Sequence, residues 1–342
     1  MPPLTPVHVP GLRLIAQLLA PSAARPPLGD GANQPTPEAR AVHATAAHML
    51  ATQAQNLPAA VTALALRSAS PGLTGDALAT AGVVRSWSQR GTHHLLAAED
   101  VRWMTRLCTP RVQAASKKRR GTLGLSDTDV DACRAALLDA LTADPAPLAR
   151  TAAYRVFAGA GVDPDGGRGS HMLRHFGGEG DIIQGPRTTG AGRNEDTFVL
   201  HDNAVPHPRD LTGEDALREL AVRYHRSRGP ATVKDLAWWS GLTVRDARTA
   251  TALALDTGSV VTAEAPDGRT LHLADWQQDV TSAEIRDALG ATYALPSFDE
   301  YLLGYTDRSD VLPEALVAEV GPTKNGLVHA FDVTDGVVTG RS

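Results

Sequence analysis

The strongest constraint on this chain is a recurring order of short elements, two or three helices followed by a tight hairpin, clearest between Asp215 and Leu273. A helix over Asp215 to Ser227 precedes Thr232-Val233-Lys234-Asp235-Leu236-Ala237-Trp238-Trp239, the turn Ser240-Gly241-Leu242 and a second helix over Thr243 to Leu255. Helix, glycine turn and capped helix is the helix-turn-helix pattern, with Thr232 and Thr243 as N-caps whose hydroxyls satisfy first-turn N–H groups. Val260-Val261-Thr262 and Thr270-Leu271-His272-Leu273 then flank Pro266-Asp267-Gly268, residues suited to a hairpin turn. Three helices and a hairpin make a winged helix.

The same order occurs twice upstream. A first unit has helices around Gln53 and then Val83-Val84-Arg85-Ser86-Trp87-Ser88, Gly91 and His94-Leu95-Leu96 as strand, turn and strand. A second has apolar helices at Val130 to Leu141 and Ala146 to Ala158. It ends in Asp181-Ile182-Ile183-Gln184-Gly185 and Thr197-Phe198-Val199-Leu200 as a longer hairpin. The expected fold class is mainly α with small β-hairpins (α+β), built as tandem winged-helix domains. The units are placed at 1–120, 121–208 and 209–278, with an acidic segment over 279–342; residues 21–37, rich in proline and glycine, read as a loop.

Within the first unit, Val42, Ala46, Met49 and Leu50 have helical spacing, and Pro58 ends that helix. A residue before proline is pushed out of the α region, so Leu57 is expected to be extended, while Pro58 suits the first turn of a helix running to about Arg67. Gln53 and Gln55 therefore lie at a helix break. In an extended or turning segment residues two apart project the same way, so the two amides can address one ligand or water.

With 342 residues, 42% hydrophobic and 21% charged, the chain can bury ample core for two or three domains. Its two cysteines, Cys108 and Cys133, have neither metal-binding nor redox spacing. No apolar run reaches the roughly 18 residues needed to span a bilayer, and Met1-Pro2-Pro3-Leu4-Thr5 lacks the features of a signal peptide, so a cytoplasmic protein is expected. The net charge of −5 conceals a gradient: residues 1–250 carry 28 Lys and Arg against 23 Asp and Glu, residues 251–342 carry 5 against 15. Between Arg102 and Arg120 there are seven cations (Arg102, Arg106, Arg111, Lys117, Lys118, Arg119, Arg120) and no acid. A cationic face set against an acidic end suits a polyanionic partner on one side, although Lys117 to Arg120 also reads as a solvated linker.

Other constellations carry less. His171 and His175 are spaced i, i+4, but lack the adjacent Glu of a zincin and an obvious third ligand. Asp163-Pro164-Asp165-Gly166-Gly167-Arg168-Gly169 reads as a turn. Asp299 and Glu300 are adjacent and so diverge, which favours capping or interdomain pairing over paired acid/base work. His93 and His94 face opposite ways on a strand beside Arg85 and Arg90, so one is expected in the core and the other towards phosphate or base. No Ser-His-Asp, Cys-His or dinucleotide fingerprint can be assembled.

Several segments together resemble the winged-helix DNA glycosylases of the AlkZ/YcaQ type. They are Ala51-Thr52-Gln53-Ala54-Gln55-Asn56, Val84-Arg85-Ser86-Trp87 through Arg90-Gly91-Thr92-His93-His94-Leu95, Phe198-Val199-Leu200, Ala237-Trp238-Trp239-Ser240-Gly241-Leu242 and Pro296-Ser297-Phe298-Asp299-Glu300-Tyr301-Leu302-Leu303-Gly304-Tyr305. The resemblance covers roughly residues 12–312 and implies tandem winged helices around a C-shaped basic cleft. It also implies excision of alkylated bases from double-stranded DNA, including unhooking of interstrand crosslinks as self-resistance to a DNA-alkylating natural product. Gln53-Ala54-Gln55 matches the Gln, apolar, Gln signature of the AlkZ branch, which makes Gln53 and Gln55 the catalytic candidates.

The family's DNA-binding hairpin corresponds to Ile182 to Leu200, with Arg187, Arg193 and Asn194 at a tip suited to a minor groove. Arg85, Arg90, His93, His94, Lys117, Lys118, Arg119 and Arg120 complete the expected DNA contacts. No cofactor, metal or membrane is implied, and a nucleoid-associated monomer is expected. The long glycine-rich 159–169 and proline-rich 21–37 depart from the pattern. A non-enzymatic winged-helix transcription regulator is the competing reading; in it the glutamines only cap the helix break.

Overall fold

The computed structural model describes residues 4, 5, 8–29, 31, 33–190 and 193–342, with the backbone alone at 188–190, 193 and 194. Helix α1 (His8–Ala16) is followed by α2 (Pro37–Met49), which starts where the Thr36 side chain accepts from the Ala39 N–H and Pro37 fills the first turn. α2 stops at Leu50, held at φ +62°; strand β1 (Thr52–Gln53) and helix α3 (Leu57–Ser68) follow. The glutamines do sit at a helix break, but the extended residue is Asn56, not Leu57. Asn56 caps α3 by accepting from Ala59 N–H, so Leu57 and Pro58 both fit its first turn.

A single turn, α4 (Ala77–Thr80), leads into the first hairpin, β2 (Val83–Gln89) and β3 (Thr92–Ala97), closed by Arg90 and Gly91 at φ +50° and +69°. Helices α5 (Val101–Cys108) and α6 (Pro110–Lys117) carry the acid-free stretch. The second unit comprises α7 (Asp127–Ala143), β4 (Leu148–Ala149), α8 (Arg150–Gly159), α9 (Arg168–Glu179) and the hairpin β5 (Ile182–Gly190) and β6 (Arg193–Leu200). The helix expected from Ala146 begins only at Arg150. Pro147 disfavours a helical Ala146, and Leu148 and Ala149 instead pair with Phe198 and Thr197.

The expected hairpins are present, but the first two are not separate. They join edge to edge at Arg85 and Gln184 into one antiparallel sheet of order β1-β3-β2-β5-β6-β4, which satisfies backbone groups an isolated hairpin leaves open. β1 adds to the same sheet, with Gln53 opposite His94. Helix α9 packs on this sheet so closely that a Cβ on Gly177 would stand 2.1 Å from the Trp87 ring.

After a turn, α10 (His201–Ala204), the third unit has the expected form. Helices α11 (Gly213–Arg228), α12 (Val233–Ser240) and α13 (Val244–Asp256) precede β7 (Val260–Glu264) and β8 (Thr270–Ala274). Thr232 and Asp235 form a reciprocal capping box, Gly241 takes φ +80° in the turn, and Thr243 caps α13.

The acidic end is a folded layer: α14 (Ser282–Leu289), β9 (Tyr293–Leu295), α15 (Glu300–Leu303), α16 (Val317–Val320), β10 (Phe331–Thr334) and β11 (Val337–Arg341), with the last two strands and β9 forming a three-stranded sheet. α1 belongs with it: Leu14 and Ile15 share a core with Tyr301, Leu302, Phe331 and Val333, and Gly11 lets Ile285 approach. Residues 8–16 thus pack mainly on the last layer and on the β7–β8 hairpin, touching α2 where His48 Nε2 meets Ala16 O at 2.7 Å, although the sequence places them in the first unit.

Gly177→Ala is expected to lower unfolding free energy by about 1–3 kcal/mol, because either α9 or Trp87 must shift; urea denaturation at neutral pH measures it.

Candidate active site

The Gln53-Ala54-Gln55 segment is held from both ends by buried charges on other units. Arg228, at the end of α11 and fully buried, donates from Nη1 to Met49 O and from Nη2 to Ala51 O, both at 2.8 Å. Glu300, equally buried at the start of α15, accepts from the Gln53 N–H on Oε1 at 3.1 Å. Its Oε2 accepts from Arg228 Nη2 at 2.7 Å and Trp239 Nε1 at 2.9 Å. On the other side Arg85 Nε donates to Ala54 O at 3.0 Å, while the Ala54 N–H donates to His93 O at 2.7 Å. The N–H groups of Gln53 and Ala54 and the Ala54 carbonyl thus have partners, and the two side chains are left to face each other.

They do so closely. Gln53 Nε2 donates to Gln55 Oε1 at 2.6 Å, and the Gln55 N–H donates to Gln53 Oε1 at 3.2 Å. Gln53 is 5% exposed, whereas Gln55 is exposed at the wall of a 630 Å³ cleft. Each amide oxygen keeps a second lone pair, so the pair can accept two hydrogens from one water.

The adjacent carboxylates pair between units, as their divergence suggested. Asp299 caps α15 and binds Arg67 through two hydrogen bonds of 2.8 Å; Glu300 binds Arg228. Burial pushes the Glu300 carboxyl up, but the charges of Arg228 and Arg90 and the bonds from Arg228 and Trp239 outweigh it, and the net direction is down. Glu300 is ionised at neutral pH.

The other expected site residues separate into three groups. Arg85 and His93 lie beside the glutamines. Arg85 donates from Nη1 to Gln184 Oε1 at 2.6 Å and to Asp196 Oδ1 at 3.3 Å, while His93 lines the cleft with its ring 4.3 Å from that of Trp87. Burial, with Arg85 next to it, pushes His93 down to about 3, so the ring is neutral. His94 is the core histidine of the pair, fully buried. Arg90 leaves the cleft and stacks 4.5 Å over Trp238 of the third unit, where burial pushes it down to about 10.

The basic run is only half free. Lys117 and Arg120 both bind Asp127, at 2.8 and 2.6 Å, and Arg120 also donates to His175 Nε2 at 2.9 Å. Lys118 and Arg119 remain exposed, and Arg119 lines the cleft. Arg187 is exposed and paired with Asp196. The side chains of Arg193 and Asn194 lie outside the described residues. His171 and His175 face arginines, and among the described residues no group of three or more His, Cys, Asp or Glu is placed to hold a metal.

Five residues of the site were not singled out from sequence: Arg228, Gln184, Asp196, Arg150 and Arg174, the last four lining the cleft. Gln184 had a signal, being polar within the apolar run Ile182-Ile183-Gln184. Among the described residues Asp196 is the one carboxylate of the cleft wall, and Arg85 and Arg187 already occupy its Oδ1.

The sequence model of the family described as DNA glycosylase AlkZ-like matches residues 46–342. The chain belongs to the AlkZ-like DNA glycosylase family. Its fold is also that of a solved structure, the DNA glycosylase AlkZ of Streptomyces sahachiroi, with a TM-score of 0.73 and 20% identity over 100% of this chain and 88% of that one. No curated protein sequence matches. For an AlkZ-like DNA glycosylase the partner is DNA. No helix among the described residues is long and apolar enough to cross a membrane.

Both oxygens of Glu300 face donors, so an amide at this position satisfies only one side. Glu300→Gln is expected to cost about 3 kcal/mol of stability, the scale of breaking a buried ion pair. The depressed folded value means that this carboxylate's contribution is complete above the ordinary 4.5 and is lost as pH falls below it. Urea midpoints measured at decreasing pH should therefore show a steeper acid loss in the wild type than in the variant.

Proposed function

We propose that the protein hydrolyses the N-glycosidic bond of purines carrying a cationic N7 or N3 alkyl group in double-stranded DNA, acting as a monofunctional glycosylase. The observation that carries this reading is the convergence of Gln53 and Gln55, one buried and positioning, one exposed in the cleft. Glutamine is no general base, so its contribution is positioning and dipole. That contribution suits a base already positively charged by alkylation, which departs as a neutral molecule and needs little acid assistance. Charge then develops on the sugar. The free lone pairs of Gln53 Oε1 and Gln55 Oε1 hold a water below the anomeric carbon, and their dipoles stabilise the oxocarbenium-like centre; as the C–N bond breaks, the water oxygen bonds to the anomeric carbon and its proton passes to solvent. Asp196 is engaged with two guanidiniums and serves to orient Arg85.

The exposed setting of Gln55 favours recognition without full extrusion of the base, and hence bulky adducts and crosslinks, whose unhooking would protect a cell from a DNA-alkylating natural product. The β5–β6 hairpin, with Arg187 on it, enters the minor groove in this reading, and Lys118 and Arg119 contact phosphate. The protein acts as a monomer without cofactor or metal, in the cytoplasm at the nucleoid.

Duplex DNA containing N7-methylguanine, or a crosslink, tests this through alkali-labile abasic sites. The wild type is expected to form them. Gln53→Ala and Gln55→Ala are each expected to lower the rate about a hundredfold, the loss of about 3 kcal/mol of transition-state contact. Excision of uracil would contradict the account, since a neutral base needs assistance that amides do not supply; binding without abasic sites in any duplex would favour a regulator.

A further inference from the structure

Among the described residues, three arginines of the cleft wall make no ion pair with a carboxylate. Arg119 follows α6, Arg150 opens α8 and Arg174 lies in α9, and all three line the cavity that exposes Gln55. Most acids of this region are engaged elsewhere: Asp127 with Lys117 and Arg120, Asp163 with Arg168, Asp181 with Arg134, and Asp196 with Arg85 and Arg187, while Asp165, beside Gly166 and Gly167 of the wall, makes no ion pair with any of the three. Glu195 accepts from the Thr151 N–H and hydroxyl. Among the described residues the cluster is left with uncompensated positive charge, which an anion would relieve.

Two further details fit an anion. His171, 8% exposed in the same wall, has no hydrogen-bond partner on Nε2; its Nδ1 lies 3.5 Å from Ser116 Oγ. Burial and the neighbouring Arg120, Arg119 and Arg174 push it down, so it is a neutral ring able to donate one N–H. Arg174 is seated by the turn of the first hairpin: at Gly91, φ +69°, a Cβ would stand 2.0 Å from its Nη2. Its Nε is buried without a partner. The start of α9 lies in the wall too, but Pro164 and Asp165 carbonyls already accept from its first two N–H groups, so the guanidiniums carry the site.

We propose that Arg150, Arg174 and Arg119, with His171 as a neutral donor, seat one backbone phosphate of the lesion-bearing strand, next to the sugar that Gln53 and Gln55 address. The placement beside the lesion rests on the proposed reaction; the phosphate site does not. It fixes the register of the strand so that the anomeric carbon meets the glutamines, the positioning task that phosphate contacts serve in general.

The test uses a labelled duplex carrying a tetrahydrofuran abasic analogue, which is not turned over, with one neutral methylphosphonate at each of several phosphates flanking it. Wild-type binding is expected to weaken about tenfold at a single position. Arg150→Ala/Arg174→Ala is expected to weaken binding to the fully charged duplex similarly, to lose nothing more at that position, and to reduce the slope of log Kd against log salt by about 0.9. Arg150→Gln/Arg174→Gln, with an unchanged thermal melt, controls for folding. Unchanged affinity and slope, or a methylphosphonate penalty that adds in full to that of the variant everywhere, would overturn the site. A protein with the position-specific signature that excises no base keeps the phosphate site and loses the proposed reaction; one that excises without the signature does the reverse.

Discussion

Glu300 is the interaction on which the site depends. A carboxylate without solvent is costly unless both oxygens are paired, and here one side takes the Gln53 N–H while the other takes Arg228 and Trp239. Arg228 in turn holds the carbonyls of Met49 and Ala51. The short loop after α2 is therefore fixed by charges from α11 and α15, far away in sequence, and a Leu50 at positive φ is tolerated because its surroundings over-determine it. Amides have weak intrinsic reactivity, so their usefulness lies in being held still.

The shared sheet supplies the second half of that rigidity. Because β1, the first hairpin and the second hairpin form one antiparallel sheet, Arg85 on β2 reaches Ala54 O, Gln184 and Asp196 from a single position. The cleft lies at this junction, with Trp87, His93 and Phe198 giving it an aromatic wall and the arginines an electropositive one. An aromatic and cationic surface beside two uncharged amides suits a DNA glycosylase, which has a polyanion to hold, and suits the release of an already cationic base proposed above.

Much of this was legible locally. The third unit could be read from Thr232, Gly241 and Thr243, whose cap and turn preferences act within four residues, and the glutamine break could be read from Pro58. The long-range pairings were not. Glu300 and Gln53 are 247 residues apart, and the joining of two hairpins at Arg85 and Gln184 depends on strand edges that no local pattern marks. The basic run looked like four free cations because Asp127, which neutralises Lys117 and Arg120, lies beyond it at the start of α7. Arg90 looked DNA-facing because its packing partner, Trp238, is in another unit. Arg150 and Arg174 are isolated charges in the sequence, and only the fold brings them to Arg119.

The central claim is that an amide pair, and not the carboxylate in the same cleft, performs the chemistry. Single-turnover excision of N7-methylguanine by Gln53→Ala/Gln55→Ala and by Asp196→Asn measures it most directly. The double amide variant should fall to the uncatalysed rate, while Asp196→Asn, which still accepts from Arg85, should stay within about tenfold of the wild type. The opposite order, with Asp196→Asn inactive and the amide variant active, would contradict the account and make Asp196 the catalytic group.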